Sequence, residues 1–444
     1  MVRWDHLGVT AVIRDLALRH DCYETMMHFF RSTAVSLEQI VVCWFEAVKT
    51  YAPLYRENNT YVLIGDGVKT SKEGYFMPGV KKLHQESEDS SKAEYIYGHM
   101  FGGLGVLAGS VRKWFCIPLR INIQDGLQAT ASWEGSTAST ESHVVQMIRG
   151  GFYAASTAFG KSILLLDRYF LTIPALLTLN ALNQGAALLQ IVTKAKCSCV
   201  AYEKAPKYCG RGRPPVKGKP VKIGSLFDSE SDKFQKAQTF IYGKSETVEY
   251  YSIDLLWGKG LYQPLRFVLI KFKGMKSIFV STDLTLSPLP IIRLYSYRFN
   301  TECCFREFKQ CLGGFCYHFW TMATPKLNHF LKKESADPLT SVKDKTRQAR
   351  IIATVKATEL FVQLSVIAMG IIQILSLRFS EDTPRNLFRY LRTPSKSIVS
   401  EGTMMVFLRK NIWRFIAEAP DLPIVKIIRR QQEKPISFAN FKAS

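Results

Sequence analysis

The sequence predicts an α/β fold with a strand-rich middle and helical ends. Three observations carry this expectation. Two short apolar runs, Tyr61-Val-Leu-Ile-Gly65 and Ser162-Ile-Leu-Leu-Leu166, are each followed by an aspartate, Asp66 and Asp167, which suits buried strands ending at the edge of a core. Between Gln238 and Thr282 β-branched and aromatic residues dominate, a composition that fits a pleated, half-buried surface. The first sixty residues, and most of the chain after Pro290, read as helix.

Taken in order, Ser36-Leu-Glu-Gln39 has the form of a capping box, in which a hydroxyl and a carboxamide satisfy free backbone amides, and the run Ile40 to Tyr51 continues it. After the strand at Tyr61 comes a basic stretch marked by Gly and Pro, Lys69 to His84, and then an apolar one, Tyr95 to Ala108. Behind Asp167, Arg168 to Lys194 predicts a helix with Pro174 near its beginning. Lys204 to Lys222 carries seven Lys or Arg around Gly210-Arg-Gly-Arg-Pro-Pro215. Gly and Pro at that density argue against a regular element. Two readings stand: a basic loop lying along a phosphate backbone, or a solvated linker. Phe240-Ile-Tyr242, Val248-Glu-Tyr-Tyr-Ser252, Phe267-Val-Leu-Ile-Lys-Phe272 and Ile278-Phe-Val-Ser281 are the strand candidates of the middle region, the last two joined by a turn at Lys273-Gly-Met-Lys276. Leu360 to Leu377 is eighteen residues without a charge, near the lower limit for a membrane span. Gln363, Ser365, Gln373 and Ser376 interrupt it, so it reads as a buried helix.

The 444 residues contain 59 Lys and Arg against 37 Asp and Glu, a net charge of +22. Such an excess attracts polyanions through counterion release, which puts nucleic acid first among partners. Charge that serves solubility and an acidic membrane surface are the other readings. The hydrophobic fraction of 47% supplies a large core. Ten cysteines show no framework spacing, and Met1-Val-Arg-Trp-Asp-His lacks the pattern of a secretory signal. Both point to free thiols in a reducing cytoplasm. Cys197, Cys199 and Cys209 lack the paired Cys-x2-Cys units of a zinc site. His84, His99 and His318 read as structural, and Trp257 and Trp320 as core residues rather than base-stacking ones.

The most specific feature is Tyr295-Ser-Tyr-Arg298-Phe-Asn-Thr-Glu302, continuing to Lys309. At ~100° per helical residue, Tyr295, Arg298, Glu302, Arg306 and Lys309 fall on one narrow stripe. A carboxylate flanked by cations and a phenol suits a metal ion gripped beside phosphates; a solvated helix face is the plainer reading. Asp66 and Asp167 sharpen the first reading. Aspartates at two strand ends and a glutamate from a packed helix would form a hard-oxygen nest for Mg²⁺ or Mn²⁺. Taken singly, Asp66 is a turn residue in Gly65-Asp-Gly67 and Asp167 a helix cap.

These residues carry a resemblance. Tyr295, Arg298, Glu302 and Lys309 match the Tyr-x2-Arg-x3-Glu-x6-Lys signature of a large subgroup of bacterial insertion-sequence transposases of the Asp-Asp-Glu class. Gly65-Asp-Gly67, Leu165-Leu-Asp-Arg-Tyr169 and Ser281-Thr-Asp-Leu-Thr-Leu-Ser-Pro288 resemble the family too, so the likeness runs from Tyr61 to Gly314. It implies a ribonuclease-H-like core, a mixed sheet with flanking helices, interrupted by a β-rich insertion between the second aspartate and the glutamate, with helical N- and C-terminal parts. The expected divisions are 1–60 (helical), 61–195 (core, first part), 196–265 (basic loop and insertion), 266–345 (core, second part, with Glu302) and 346–444 (helical). By the same resemblance, Asp66, Asp167 and Glu302 would bind two Mg²⁺ ions, with Mn²⁺ as the alternative. Tyr295, Arg298 and Lys309, with Arg306 beside them, would hold DNA phosphates. The implied activity is hydrolytic nicking at transposon ends followed by strand transfer into target DNA. The enzyme would act as a homodimer, joined through the region from Thr346 to Ser444, on double-stranded DNA in the bacterial cytoplasm at the nucleoid, away from any membrane. The alternative is a catalytically silent or nuclease-only DNA-binding relative. No helix-turn-helix is apparent in the first sixty residues, so the segment that recognises DNA ends is unassigned.

Overall fold

Strands buried on both faces read as unbroken apolar runs, and the sheet is built outward from two of them. The computed structural model describes residues 8–85, 93–207, 210, 212–328, 336–388 and 397–432. Met1 to His6, Cys209, Arg211 and the end of the C-terminal region from 433 lie outside the described residues. Three helices open the chain: α1 (Val9–Asp15), α2 (Cys22–Arg31) and α3 (Leu37–Tyr51). Ser36 caps α3, its Oγ accepting from the Gln39 amide at 3.3 Å. Next come β1 (Arg56–Glu57), β2 (Thr60–Ser71), β3 (Lys81–His84), β4 (Tyr95–Ser110) and β5 (Lys113–Asp125). These are followed by α4 (His143–Ala154), β6 (Ser162–Leu165), α5 (Ile173–Leu182), β7 (Leu189–Ala195), β8 (Val200–Tyr202), β9 (Pro220–Lys222) and α6 (Leu226–Ser229). A meander of β10 (Gln235–Ile241), β11 (Lys244–Trp257), β12 (Gln263–Phe272) and β13 (Met275–Ser281) leads to α7 (Pro288–Tyr297) and α8 (Phe299–Gln310). The helices α9 (Lys345–Arg378), α10 (Glu401–Glu418) and α11 (Pro423–Gln431) finish the described chain.

The fold is α/β, a large mixed sheet flanked by helices. Among the described residues, 13 strands form one sheet in the order β3-β4-β2-β6-β7-β13-β12-β11-β8-β9, with β5 on β4, β1 on β2 and β10 on β11. β2, β6 and β7 run parallel; β4 and β5 on one side and β13, β12 and β11 on the other are antiparallel. Val62, Leu63, Ile64, Leu164 and Leu165 are fully buried at its centre. The meander covers the β-like stretch read from the sequence. It is continuous with the core sheet through β13 on β7, and β12 spans the expected division at 265/266.

Two local expectations are corrected. The helix expected from Arg168 to Lys194 ends at Leu182, and Leu189–Ala195 is strand β7. The Asn183 carboxamide turns the chain, donating to the Leu189 carbonyl (2.7 Å) and accepting from its amide (3.2 Å). Leu189 then enters the gap between β6 and β13. Asp66 does not end its strand either: β2 runs on to Ser71, because β4 continues to pair it from Leu63 to Ser71.

The uncharged run Leu360–Leu377 lies in α9, a 34-residue helix long and apolar enough to cross a membrane, with 67% of its most apolar window buried inside the protein. It packs against β5, where Glu359 accepts from the Ile123 amide (3.1 Å) and Gln363 donates to the Leu119 carbonyl (2.9 Å).

Candidate active site

β6 stops pairing with β2 at Ile64 opposite Leu165. Asp66 and Asp167 both lie two residues beyond that pair, so adjacent parallel strands bring the two aspartates side by side. Asp66 is held in the strand ladder; Asp167 has left it and caps a short 3₁₀ turn, its carboxylate accepting from the Arg168 amide at 2.7 Å. The Thr193 hydroxyl on β7 fixes the Asp167 carbonyl at 2.8 Å.

The helices arrive from the other end of the sequence. α7 and α8 meet at Arg298, where backbone bonds shorten to the i−3 spacing: the Arg298 amide donates to Tyr295 and the Thr301 amide to Arg298. The single regular helix that would line these residues up on one stripe is therefore broken at Arg298. Arg298 Nη1 reaches Asp66 at 2.8 Å, and Nη2 reaches Glu302 at 2.5 Å. One planar guanidinium thus bridges two carboxylates, the fork geometry that a lysine lacks. The close approach of α8 has a cause on β4. Gly103 stands opposite Asp66, and a Cβ there would meet the Phe305 ring at 2.6 Å. At the far end of α8, Lys309 Nζ donates to the Lys69 carbonyl at 3.2 Å, so the helix is tied to β2 twice.

Burial is the main influence on Asp66 and pushes its carboxyl above the ordinary range. Arg298 and the Gly67 amide, which donates to Asp66 at 2.8 Å, oppose that, and the charge of Asp167 adds to it. Burial pulls the Arg298 guanidinium down, but Asp66, Tyr295, Asp167 and Glu302 outweigh it and raise it. The Tyr295 phenol is raised chiefly by burial and stays protonated. Its ring stacks on Phe279 of β13, with centroids 4.5 Å apart.

The structure therefore gathers Asp66, Asp167, Tyr295, Arg298 and Glu302, with Lys309 one end further along β2. Arg306 is not brought to them. It pairs with Glu307 at 3.3 Å and lines a cavity with Lys113 and Glu401. Among the described residues, no three His, Cys, Asp or Glu side chains stand close enough to hold a metal ion. The donor chemistry of Asp66, Asp167 and Glu302 fits a hard divalent cation, but the cation that joins Asp66 to Glu302 in this arrangement is Arg298.

Several supporting residues have no signal in the sequence. Phe279 and Gly103 act through packing, and Lys69 through its backbone carbonyl, which accepts from Lys309. Tyr169 is 51% exposed beside Asp167 and stacks on His143, centroids 4.9 Å apart. Elsewhere, Cys199 accepts from the Trp257 indole at 3.2 Å, while Trp320 is 54% exposed, against the core role expected for it. His99 is buried between Tyr317 and the Pro78 carbonyl. Lys204, Lys207, Arg213, Lys219 and Lys222 of the basic stretch are exposed, and Lys217 sits 3.8 Å over the Tyr202 ring. The chain matches no family model, no curated protein and no solved structure.

Proposed function

We propose that this chain is a metal-dependent DNA transposase with a ribonuclease-H-like core, an endonuclease and strand transferase whose acids are Asp66, Asp167 and Glu302. The observation that carries the reading is the meeting of two aspartates on adjacent parallel strands with an arginine and a glutamate four residues apart on a helix from beyond a strand-rich insertion. Composition supports it, since a net charge of +22 favours a polyanionic substrate. In this reading the three acids hold Mg²⁺, which when bound supplies an activated water and stabilises the leaving oxygen. The chain's own part is positioning. Arg298 holds Asp66 and Glu302 at a fixed separation. Tyr295 would offer a neutral phenol and Lys309 a point charge to the phosphates.

A second reading, a DNA-binding relative without chemistry, is favoured by the Arg298 bridge, which already pairs two of the three carboxylates a metal would need, Asp66 and Glu302. One comparison separates the two. Glu302→Gln should retain binding to duplex DNA flanking the gene, measured by gel shift, and lose metal-dependent nicking by at least a hundredfold, the order set by losing electrostatic stabilisation at an active site. Equal nicking by both proteins would refute the assignment; binding without nicking by the wild type in Mg²⁺ and Mn²⁺ would favour the silent relative.

A further inference from the structure

The face of the sheet opposite the carboxylates carries a second feature. Residues paired across β2 and β4 share a face: Asp66 with Gly103 on the side of α8, and Gly67 with Gly102 on the other. On that other side a polar cavity of about 300 Å³ lies between α4 and strands β4 and β5, its lining including Arg120, Gln124, Ser139, Arg149, Gly150 and Tyr153.

Three departures from regular structure shape it. Phe101 pairs with Ile123 and Met100 with Asp125, so Gln124 is the extra residue of a β-bulge, a device that re-aims a side chain. Gly102 admits that side chain: a Cβ there would stand 2.0 Å from the Gln124 carboxamide carbon. Gly150 sits in the interior of α4, where glycine is disfavoured, and nothing lies within 4 Å of where its Cβ would be. The space it leaves opens onto the cavity.

Gln124 is only 6% exposed, and its Oε1 has no hydrogen-bond partner. A buried acceptor left unpaired is costly, and a donor entering the cavity would satisfy it. The charges around the cavity are balanced. Arg149 pairs with Glu141 at 2.7 Å and Arg120 with Glu38 at 3.3 Å, which disfavours an anion. What remains is a set of carboxamides, hydroxyls and the single ring of Tyr153, suited to a neutral planar molecule with both donors and acceptors on its edge.

We propose that this cavity binds a neutral nucleobase or its nucleoside, with a ring or exocyclic N–H donating to Gln124 Oε1. The site is independent of any chemistry at Asp66. The test is thermal unfolding of the full chain with adenosine, guanosine, cytidine or thymidine at millimolar concentration, beside saturation-transfer NMR on the same mixtures. At least one nucleoside is expected to raise Tm saturably and to receive saturation at its base protons. Gln124→Leu keeps the volume and removes the orphan acceptor; it should unfold at the same or a higher temperature than wild type and lose the nucleoside shift. Gly150→Leu should lose it by filling the space. Absence of any nucleoside response in the wild type by both methods, or a shift that survives both substitutions, would overturn the proposal.

Discussion

Arg298 is the residue on which the candidate site turns. Its side chain is 15% exposed and that of Asp66 is 22% exposed, so neither charge is well solvated. Removing one partner of such a pair leaves an uncompensated buried charge, at a cost of about 3–5 kcal/mol. Arg298→Ala should lower stability by that order in urea titration. The loss should be larger at pH 8 than at pH 5, because Asp66, already pushed upward by burial, can neutralise itself by taking a proton at the lower pH. A variant as stable as the wild type at pH 8 would show that the bridge is not held in solution. His99 offers a second titration. Burial lowers it from 6.5 to about 4. A base with a depressed folded value contributes stability that is full above its unfolded value and is lost as pH falls toward the folded one. The His99 share of the stability lost between those limits should be roughly 3 kcal/mol, read as the difference between the pH dependences of wild type and His99→Asn in unfolding at fixed pH steps. The Arg298–Glu302 contact was legible in the sequence, because residues four apart meet on a helix. The Arg298–Asp66 contact was not, because it spans 232 positions and depends on how α8 lies on β4.

At the scale of elements, glycines set how closely helices approach the sheet. Gly103 admits Phe305 and so brings α8 down beside Asp66. Gly370 plays the same part in α9: a Cβ there would meet the Trp44 ring at 2.2 Å, and Trp44 is held by its bond to the Pro118 carbonyl at 2.9 Å. Gly370→Ala favours helix formation by up to about 1 kcal/mol, yet overpacking typically costs about 1–3 kcal/mol. The variant should therefore melt below the wild type, and adding Trp44→Phe should recover part of the loss. A higher melting point for Gly370→Ala would mean that α3 and α9 are less tightly packed than this. The strand patterns of β2, β6 and the β10–β13 meander were legible because alternation and unbroken apolar runs are local signals. The segment of β7 reads as helix from sequence, since the Ala- and Leu-rich stretch before it continues the helical pattern and its strand identity comes from the neighbours β6 and β13. The uncharged stretch in α9 reads as buried because polar residues interrupt it, and in the structure Gln363 bonds the sheet while Gln373 bonds Glu401 of α10.

For the whole molecule, one sheet joins parts that the sequence divides. The core strands and the meander share β7 and β13 as neighbours, so the strand-rich region is rigidly fixed beside Asp167 and Tyr295 through Thr193 and Phe279. The two ends of the described chain also meet: the Arg19 amide donates to the Gln431 carbonyl at 2.9 Å, and Ile13, Leu16 and Leu18 pack with Ile416 and Val425. No local pattern announces either closure, since both depend on register set by distant strands and helices. The central claim is that Asp66, Asp167 and Glu302 act together on a phosphodiester. It is tested most directly by incubating labelled duplex DNA from the flanks of the gene with Mg²⁺ and four proteins: wild type, Asp66→Asn, Asp167→Asn and Glu302→Gln. Nicks with 3′-hydroxyl ends at both flanks, made by the wild type and by none of the three folded variants, are the predicted result. Nicking that persists in any variant, or a wild type that binds this DNA and never cuts it, would contradict the account.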